Sequence, residues 1–203
     1  HNHWRKGNYK PAIVHFRKAR EAKPTEPGVH IDLCLMLLEQ NRPYQATKTG
    51  QRGIRLLQSA DVPVPAKLYN AMARAALHQS NIGAAVKYAQ NAKAAYEKDQ
   101  VGIKDKLEAV VLEARAQMAR GRHSTAEIAL SWGLSLKAGN PYTANLTGYN
   151  YEQWAKTTSD KQKEQRYYSE AQDYYQQALE AENLAANFRE LVQTNLARVK
   201  DRI

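Results

Sequence analysis

Few side chains in this sequence have the types and spacing that metal or nucleophile chemistry requires. His1 and His3 stand two residues apart and could ligate a metal ion, although a terminal pair is more typical of a tag or a frayed end. Cys34 is the only cysteine, which excludes an internal disulfide, and it lies inside the apolar run from Leu33 to Leu38. We therefore expect no metal site, and we expect Cys34 to be a buried core residue rather than a reactive thiol.

The sequence motifs of common enzyme classes are absent. The sequence has no glycine-rich phosphate loop, no Gly-x-Ser-x-Gly elbow and no His-Glu-x-x-His pair. The remaining histidines are scattered along the chain: His15, His30, His78 and His123. We therefore predict that the chain is not an enzyme and uses no cofactor.

The charge of the chain is positive and unevenly placed. The 203 residues are 43% hydrophobic and 25% charged, which is a globular composition, and the net charge is +10. Residues 1–60 carry 11 basic and 4 acidic side chains, whereas residues 121–203 carry 10 of each. A basic surface favours an acidic partner, while an ordinary solvated helical surface is the alternative. No apolar run approaches the roughly 18 residues of a membrane span.

The elements that would position any site are indicated by a pattern of small residues that occurs five times. One position is alanine in every copy: Ala12, Ala46, Ala85, Ala126 and Ala171. Seven residues later every copy has alanine or glycine: Ala19, Gly53, Ala92, Gly133 and Ala178. Residues with this spacing share one helical face, and small side chains there let neighbouring helices approach closely. The pattern therefore predicts closely packed helices that repeat along the chain.

The first copy resembles the second helix of the tetratricopeptide repeat (TPR). It has the family's Gly, Tyr, Ala, aromatic, Ala and Pro at Gly7, Tyr9, Ala12, Phe16, Ala19 and Pro24. The later copies are degenerate, because their spacing grows from 34 to 45 residues and copies three to five lack the final proline. The resemblance implies an all-α fold, a right-handed superhelical solenoid of antiparallel helix pairs with a C-terminal capping helix.

The resemblance also sets the expected element order. First helices are expected at 28–40, 65–79, 105–120 and 142–157, and second helices at 9–23, 44–59, 82–97, 122–137 and 162–181. We predict a single TPR-like domain over 1–203, with repeats at 1–26, 27–60, 61–99, 100–140 and 141–183 and a capping helix at 184–203. Asp160 is expected to cap the last second helix. Only His1 to Lys6, with Trp4, precede the first motif, so we expect the chain to be part of a longer protein.

Family geometry places the partner-binding surface on the exposed face of the first helices. Counting back from the alanine positions of the third and fourth copies gives the candidates Lys67, Asn70, Arg74 and Arg115. Asn145 and Tyr149 are further candidates, because the helix expected at 142–157 is rich in aromatic and amide side chains. Arg74 and Arg115 hold the same position in successive repeats, and arginine binds carboxylates through paired hydrogen bonds. Tyrosine and asparagine combine contact area with hydrogen bonding, which suits an interface. The alternative is that the two arginines pair with nearby acids of this chain.

The resemblance therefore implies a non-catalytic protein-protein interaction scaffold that binds a peptide or a partner helix in the concave groove. A second hypothesis is a periplasmic TPR scaffold in envelope assembly or exopolysaccharide export, contacting an acidic polymer or other assembly proteins. Nucleic-acid binding is the least favoured, because the basic residues are not organised into a reading helix. Exposed solenoid ends could also mediate self-association. The sequence is compatible with either the cytoplasm or the periplasm.

Overall fold

The protein is helical throughout the part of the chain that its computed structural model describes, which is residues 9–98 and 102–203. Over those residues there are ten α-helices and no strand. In chain order they are α1 (Tyr9–Ala22), α2 (Pro27–Glu39), α3 (Pro43–Ser59), α4 (Ala66–His78), α5 (Ile82–Lys98), α6 (Ile103–Ala119), α7 (His123–Leu136), α8 (Pro141–Thr157), α9 (Lys161–Leu179) and α10 (Ala186–Lys200). The predicted all-α class is confirmed, and each predicted helix ends within a few residues of an observed one.

The helices alternate between two classes. The first helices are α2, α4, α6 and α8, and the second helices are α1, α3, α5, α7 and α9. Three of the first helices pack against the second helix that follows: α2 with α3, α4 with α5 and α8 with α9. The last helix, α10, packs against α9 and also contacts α8. It therefore covers the end of the array, as expected of a capping helix.

The tight turn between a first and a second helix has the same backbone geometry in three copies. Asn41, Ser80 and Gly121 follow the helix ends with φ values of 54°, 54° and 69°. After Asn41, the amide of Arg42 donates to the carbonyl of Leu37 at 2.8 Å, which satisfies a free carbonyl of the helix end. These left-handed residues stand five positions before Ala46, Ala85 and Ala126, so in these copies that position is a helix stop.

Helix starts follow the capping chemistry of the sequence. The carboxylate of Asp160 accepts hydrogen bonds from the amides of Gln162 at 3.0 Å and Lys163 at 3.2 Å, so its predicted role is confirmed. The side chain of Asn140 likewise accepts from the amide of Thr143 at 2.9 Å, with Pro141 at the first helical position.

The small residues of the pattern lie where helices meet. Ala46, Ala85, Ala126 and Ala171 are all fully buried. A Cβ atom added to Gly53 would lie 2.7 Å from Cγ of His30. One added to Gly133 would lie 2.9 Å from Cγ1 of Val110. These contacts leave no room for a larger side chain, which is the reason for the small residue that the pattern predicted.

The chain forms two compact units, unit 1 up to Asp105 and unit 2 from Lys106 onward. In unit 1, Cys34 is fully buried, and its thiol donates to the carbonyl of Ala46 at 3.4 Å. Burial raises the pKa of this thiol to about 12, which confirms the core role and leaves little thiolate at neutral pH. The core of unit 2 is built around Tyr168, Tyr175 and Val192. The predicted extent of a single repeat domain stays a prediction.

Candidate functional site

The first helices α4, α6 and α8 each have accessible residues on one side. On α4 this side contains Lys67 and Arg74, and on α6 it contains Arg115. On α8 it contains Tyr142 and Tyr149, which are 57% and 41% exposed. Lys67 and Arg74 are seven residues apart, as are Tyr142 and Tyr149, so each pair lies on one side of its helix.

The three predicted site residues of unit 1 differ in accessibility. Asn70 is 1% exposed, and its amide nitrogen donates to the hydroxyl of Tyr96 at 2.8 Å and to the carbonyl of Asp105 at 3.2 Å. It therefore joins α4 to α5 and to the start of α6 and is not accessible to a partner. Lys67 is exposed and lies 3.4 Å from the carboxylate of Asp105, while Arg74 is half-buried.

The three predicted site residues of unit 2 line one groove. Arg115 comes from α6, and Asn145 and Tyr149 come from α8. The groove has a volume of about 640 Å³. Its other lining residues come from the end of α6, the start of α7, α8 and α10: Met118, Ala119, Gly121, His123, Leu146, Gln153, Lys156, Thr157, Leu191 and Asn195.

The groove combines positive charge with apolar surface. Arg115 and Lys156 are its cations, and no carboxylate is among the lining residues. Tyr149 and Leu191 are 41% and 50% exposed, and Leu146 also lines the groove. Exposed apolar side chains beside fixed charges are typical of interaction sites. The arrangement can accept a carboxylate and an apolar side chain at the same time.

A buried carboxylate in α8 connects this helix to α9 and α10. Glu152 of α8 is 1% exposed, and Arg198 of α10 donates to its two oxygens at 2.7 Å each. Lys156 donates to the same carboxylate at 2.6 Å, and the hydroxyl of Tyr175 donates at 2.9 Å. Burial alone would raise the pKa of Glu152, but these donors outweigh it and lower the pKa to about 2. The carboxylate is therefore ionised at neutral pH, and its charge is matched by two cations.

Amide groups extend this connection into the wall of the groove. The amide of Asn195 donates to Oδ1 of Asn145 at 3.2 Å, and Arg198 donates to Oδ1 of Asn195 at 3.0 Å. The capping helix is thus a wall of the groove as well as a cover. Leu191 is 50% exposed and lines the groove, whereas Val192 and Val199 of the same helix are buried.

The other aromatic and histidine side chains of α7, α8 and α9 are structural. Nδ1 of His123 lies 3.0 Å from Oδ1 of Asn150, and the amide nitrogen of Asn150 donates to the carbonyl of His123 at 3.0 Å. Trp154 stacks on Tyr167 with ring centroids 4.4 Å apart. Tyr151 is buried, and its hydroxyl donates to Glu127 at 2.5 Å. Burial and this carboxylate together raise the pKa of Tyr151, so the phenol stays protonated.

The described residues offer no other chemical centre. Within residues 9–98 and 102–203, no three His, Cys, Asp or Glu side chains come together in a way that could hold a metal ion. None of the described helices is both long and apolar enough to cross a membrane. His1, His3 and Trp4 lie outside the described residues.

Comparison with known proteins identifies the fold. No family model matches the chain, and no curated protein matches its sequence. Among solved structures, the chain is similar to the MamA protein, with 21% identity and a TM-score of 0.69 over 88% of this chain and 91% of MamA. It is similar to TTC0263, a thermophilic TPR protein of Thermus thermophilus, with 16% identity and a TM-score of 0.68 over 96% and 93% of the two chains. It is also similar to pilF of Pseudomonas aeruginosa, with 18% identity and a TM-score of 0.71 over 98% of this chain and 80% of that chain.

These similarities confirm the class of protein that the sequence pattern indicated, a helical-repeat protein with the TPR fold. At these identities the likeness extends to the fold alone.

Proposed function

We propose that this chain is a non-catalytic scaffold that binds an acidic peptide segment of a partner protein in the groove of unit 2. The observation that carries the proposal is the lining of that groove. Arg115 provides positive charge with no carboxylate among the lining residues, and Lys156, which pairs with the buried Glu152, adds to it next to the exposed side chains of Tyr149 and Leu191. The TPR fold supports the proposal, because stacked helix pairs create extended surfaces suited to binding other proteins.

Each wall of the groove has a distinct part in this proposal. Arg115 binds a carboxylate of the peptide with two parallel hydrogen bonds. Tyr149, Leu146 and Leu191 receive an apolar side chain, whose burial supplies most of the affinity. Oδ1 of Asn145 is occupied by Asn195, so the amide nitrogen of Asn145 is oriented to donate to a peptide carbonyl.

The residues of unit 1 enter the proposal differently. Lys67 and Arg74 are accessible and basic, so we propose them as further contacts to an acidic partner. Asn70 has a positioning role, because its amide connects α4 to Tyr96 and Asp105 in the interior.

Selection of peptides tests the proposal without knowledge of the partner. Random phage-displayed peptides are selected on the wild-type chain, and the affinities of the enriched peptides are measured by isothermal titration calorimetry. We expect the enriched peptides to contain an acidic and an apolar residue. Arg115→Glu should weaken the binding of these peptides by about tenfold or more, which corresponds to about 1.4 kcal/mol. Tyr149→Ser should have a similar effect.

The matched control is Lys137→Glu, which makes the same charge change at an exposed position outside the groove. We expect this variant to bind within about twofold of the wild type, since distant surface charges are screened by salt. Equal losses in Arg115→Glu and Lys137→Glu would show general electrostatic attraction rather than a binding site.

A further inference from the structure

A second groove lies in unit 1, on the side of the second helices. It runs between α3 and α5, and Tyr69 of α4 contributes to it. Two adjoining hollows of about 500 and 440 Å³ form the groove, and they share Gln58, Tyr69 and Asn91. Lys67 and Arg74 do not line either hollow. This surface is therefore distinct from the side of α4 that carries Lys67 and Arg74.

The two ends of this α3–α5 groove differ in the charge of their lining residues. The smaller hollow is lined by the exposed cations Arg55 and Lys87 and by no carboxylate. The larger hollow is lined by the aliphatic side chains of Val62, Val64 and Ala94, with the exposed Asp61 as its charged residue. A ligand that is charged throughout fits only one end, because the apolar end would remove its other charges from water. A ligand that fills the groove therefore has an anionic end and an apolar end.

Amide side chains line the walls between the two ends. Gln51 and Gln58 project from α3 and Asn91 from α5. Among the residues that the structure describes, none forms a hydrogen bond with these three side chains or an ion pair with Arg55 or Lys87. A side-chain amide offers a donor and an acceptor side by side, which is the complement of a peptide group. The walls can therefore bind a polypeptide backbone without breaking internal hydrogen bonds.

The length of the groove limits the ligand to a short segment. Gln51 and Gln58 are two helical turns apart, which is about 10 Å along α3. An extended peptide advances about 3.3 Å per residue, so roughly three residues separate its contacts at the two ends.

From these observations we infer that the α3–α5 groove binds a short extended peptide of a partner protein, with an acidic side chain at Arg55 and Lys87 and an aliphatic side chain at Val62 and Val64. Charge complementarity selects the acidic end, and burial of apolar surface selects the other. A single-stranded nucleic acid fits less well, since it carries a phosphate at every nucleotide and Asp61 lines the far hollow.

Fluorescence anisotropy with synthetic peptides tests this inference on the full chain. The probes are fluorescein-labelled peptides in which Glu and Leu are separated by two Ser residues, in both orders, and the same peptides with Lys in place of Glu. We expect one Glu order to bind with a Kd of about 10–100 μM, and the Lys peptides to bind at least about tenfold more weakly.

Two variants and two controls assign any binding to this groove. Arg55→Glu/Lys87→Glu should weaken binding of the Glu peptide by about tenfold or more, and Ala94→Trp should do so by filling the apolar end while the charge is unchanged. Lys18→Glu/Lys48→Glu makes the same charge change at exposed positions outside the groove and should alter the Kd by less than about twofold. Arg115→Glu, in the groove of unit 2, should leave this binding unchanged, so failure here and failure of the proposed function are separate results.

Three results would overturn the inference. The first is no peptide binding with a Kd below about 1 mM. The second is an equal loss in the groove variants and in Lys18→Glu/Lys48→Glu, which would indicate general attraction of anions. The third is binding of an oligothymidylate probe that depends on Arg55 and Lys87 while no peptide binds, which would make the groove a nucleic-acid site.

Discussion

Glu152 is the residue on which the geometry of the unit 2 groove depends. It is buried in α8 and connects this helix to α10 through Arg198 and to α9 through Tyr175. A buried carboxylate is costly unless charges and hydrogen bonds match it, and here both oxygens are satisfied. An ionised, buried group therefore connects α8 and α10, two of the helices that line the groove.

This arrangement gives a pH-dependent prediction. Because the folded-state pKa of Glu152 is lowered from 4.5 to about 2, its contribution to stability is complete above about pH 4.5 and is lost as the pH falls toward 2. We expect Glu152→Gln to lower the free energy of unfolding by about 2–3 kcal/mol at neutral pH. Urea unfolding of both proteins at several pH values measures this difference. A difference that stays constant down to pH 2 would contradict the assignment.

Gly133 shows how closely the helices of unit 2 approach one another. A methyl group at this position would lie 2.9 Å from Val110 of α6 and 3.2 Å from Thr143 of α8. We expect Gly133→Ala to destabilise the protein by about 1–3 kcal/mol in spite of the higher helix propensity of alanine.

The control for that substitution is Gly83→Ala, at an exposed position of α5. Here only helix propensity changes, so we expect stabilisation by about 0.5–1 kcal/mol. Thermal unfolding distinguishes the two variants, and a Gly133→Ala protein as stable as the wild type would show that the contact is not close.

At the scale of elements, the helices could be predicted and part of the site could not. Alanine and glycine at fixed spacing, with Asn41, Ser80 and Gly121 at helix ends, determine where helices lie because both effects are local in sequence. The burial of Asn70 was not predictable, because its partner Tyr96 is 26 residues away and no local pattern connects them. Arg115 and Tyr149 are exposed and Asn145 is half-buried, and all three line the groove of unit 2, while their role in partner binding stays a prediction.

The capping helix shows the same limit. Its apolar stripe predicts a cover over the last repeat, and Val192 and Val199 are indeed buried. Its second role as a wall of the groove depends on Asn195 meeting Asn145 and on Arg198 meeting Glu152 across 50 and 46 residues of sequence. Such polar contacts between distant segments depend on tertiary packing, which no sequence periodicity encodes.

The attachment of α10 leads to a prediction about its dynamics. Arg198→Met retains most of the apolar stem of the side chain but removes both hydrogen bonds to Glu152. We expect amide hydrogen exchange to become at least about tenfold faster in α10 and unchanged in α1 to α4. Arg202→Met, at an exposed position after the helix, is the matched control and should exchange like the wild type. Unchanged protection of α10 in Arg198→Met would show that apolar packing alone holds the helix.

At the scale of the whole molecule, two compact units offer surfaces of different kinds. Unit 2 has a groove along its first helices, whose wall includes the capping helix. Unit 1 has the α3–α5 groove on its second helices, and the second helices also carry most of the basic residues of that unit. Both grooves have cations beside apolar groups, which accords with the net charge of +10. The two proposals together assign one peptide segment to each unit.

The most direct test of the central claim is to map a selected acidic peptide on the full chain by nuclear magnetic resonance. Titration of the peptide into nitrogen-labelled protein should shift amide resonances in α6, α8 and α10, around Arg115, Asn145 and Leu191. The same shifts should be absent with Arg115→Glu and retained with Lys137→Glu. Shifts confined to other helices, or equal shifts in wild type and Arg115→Glu, would contradict the proposal that the unit 2 groove is the binding site.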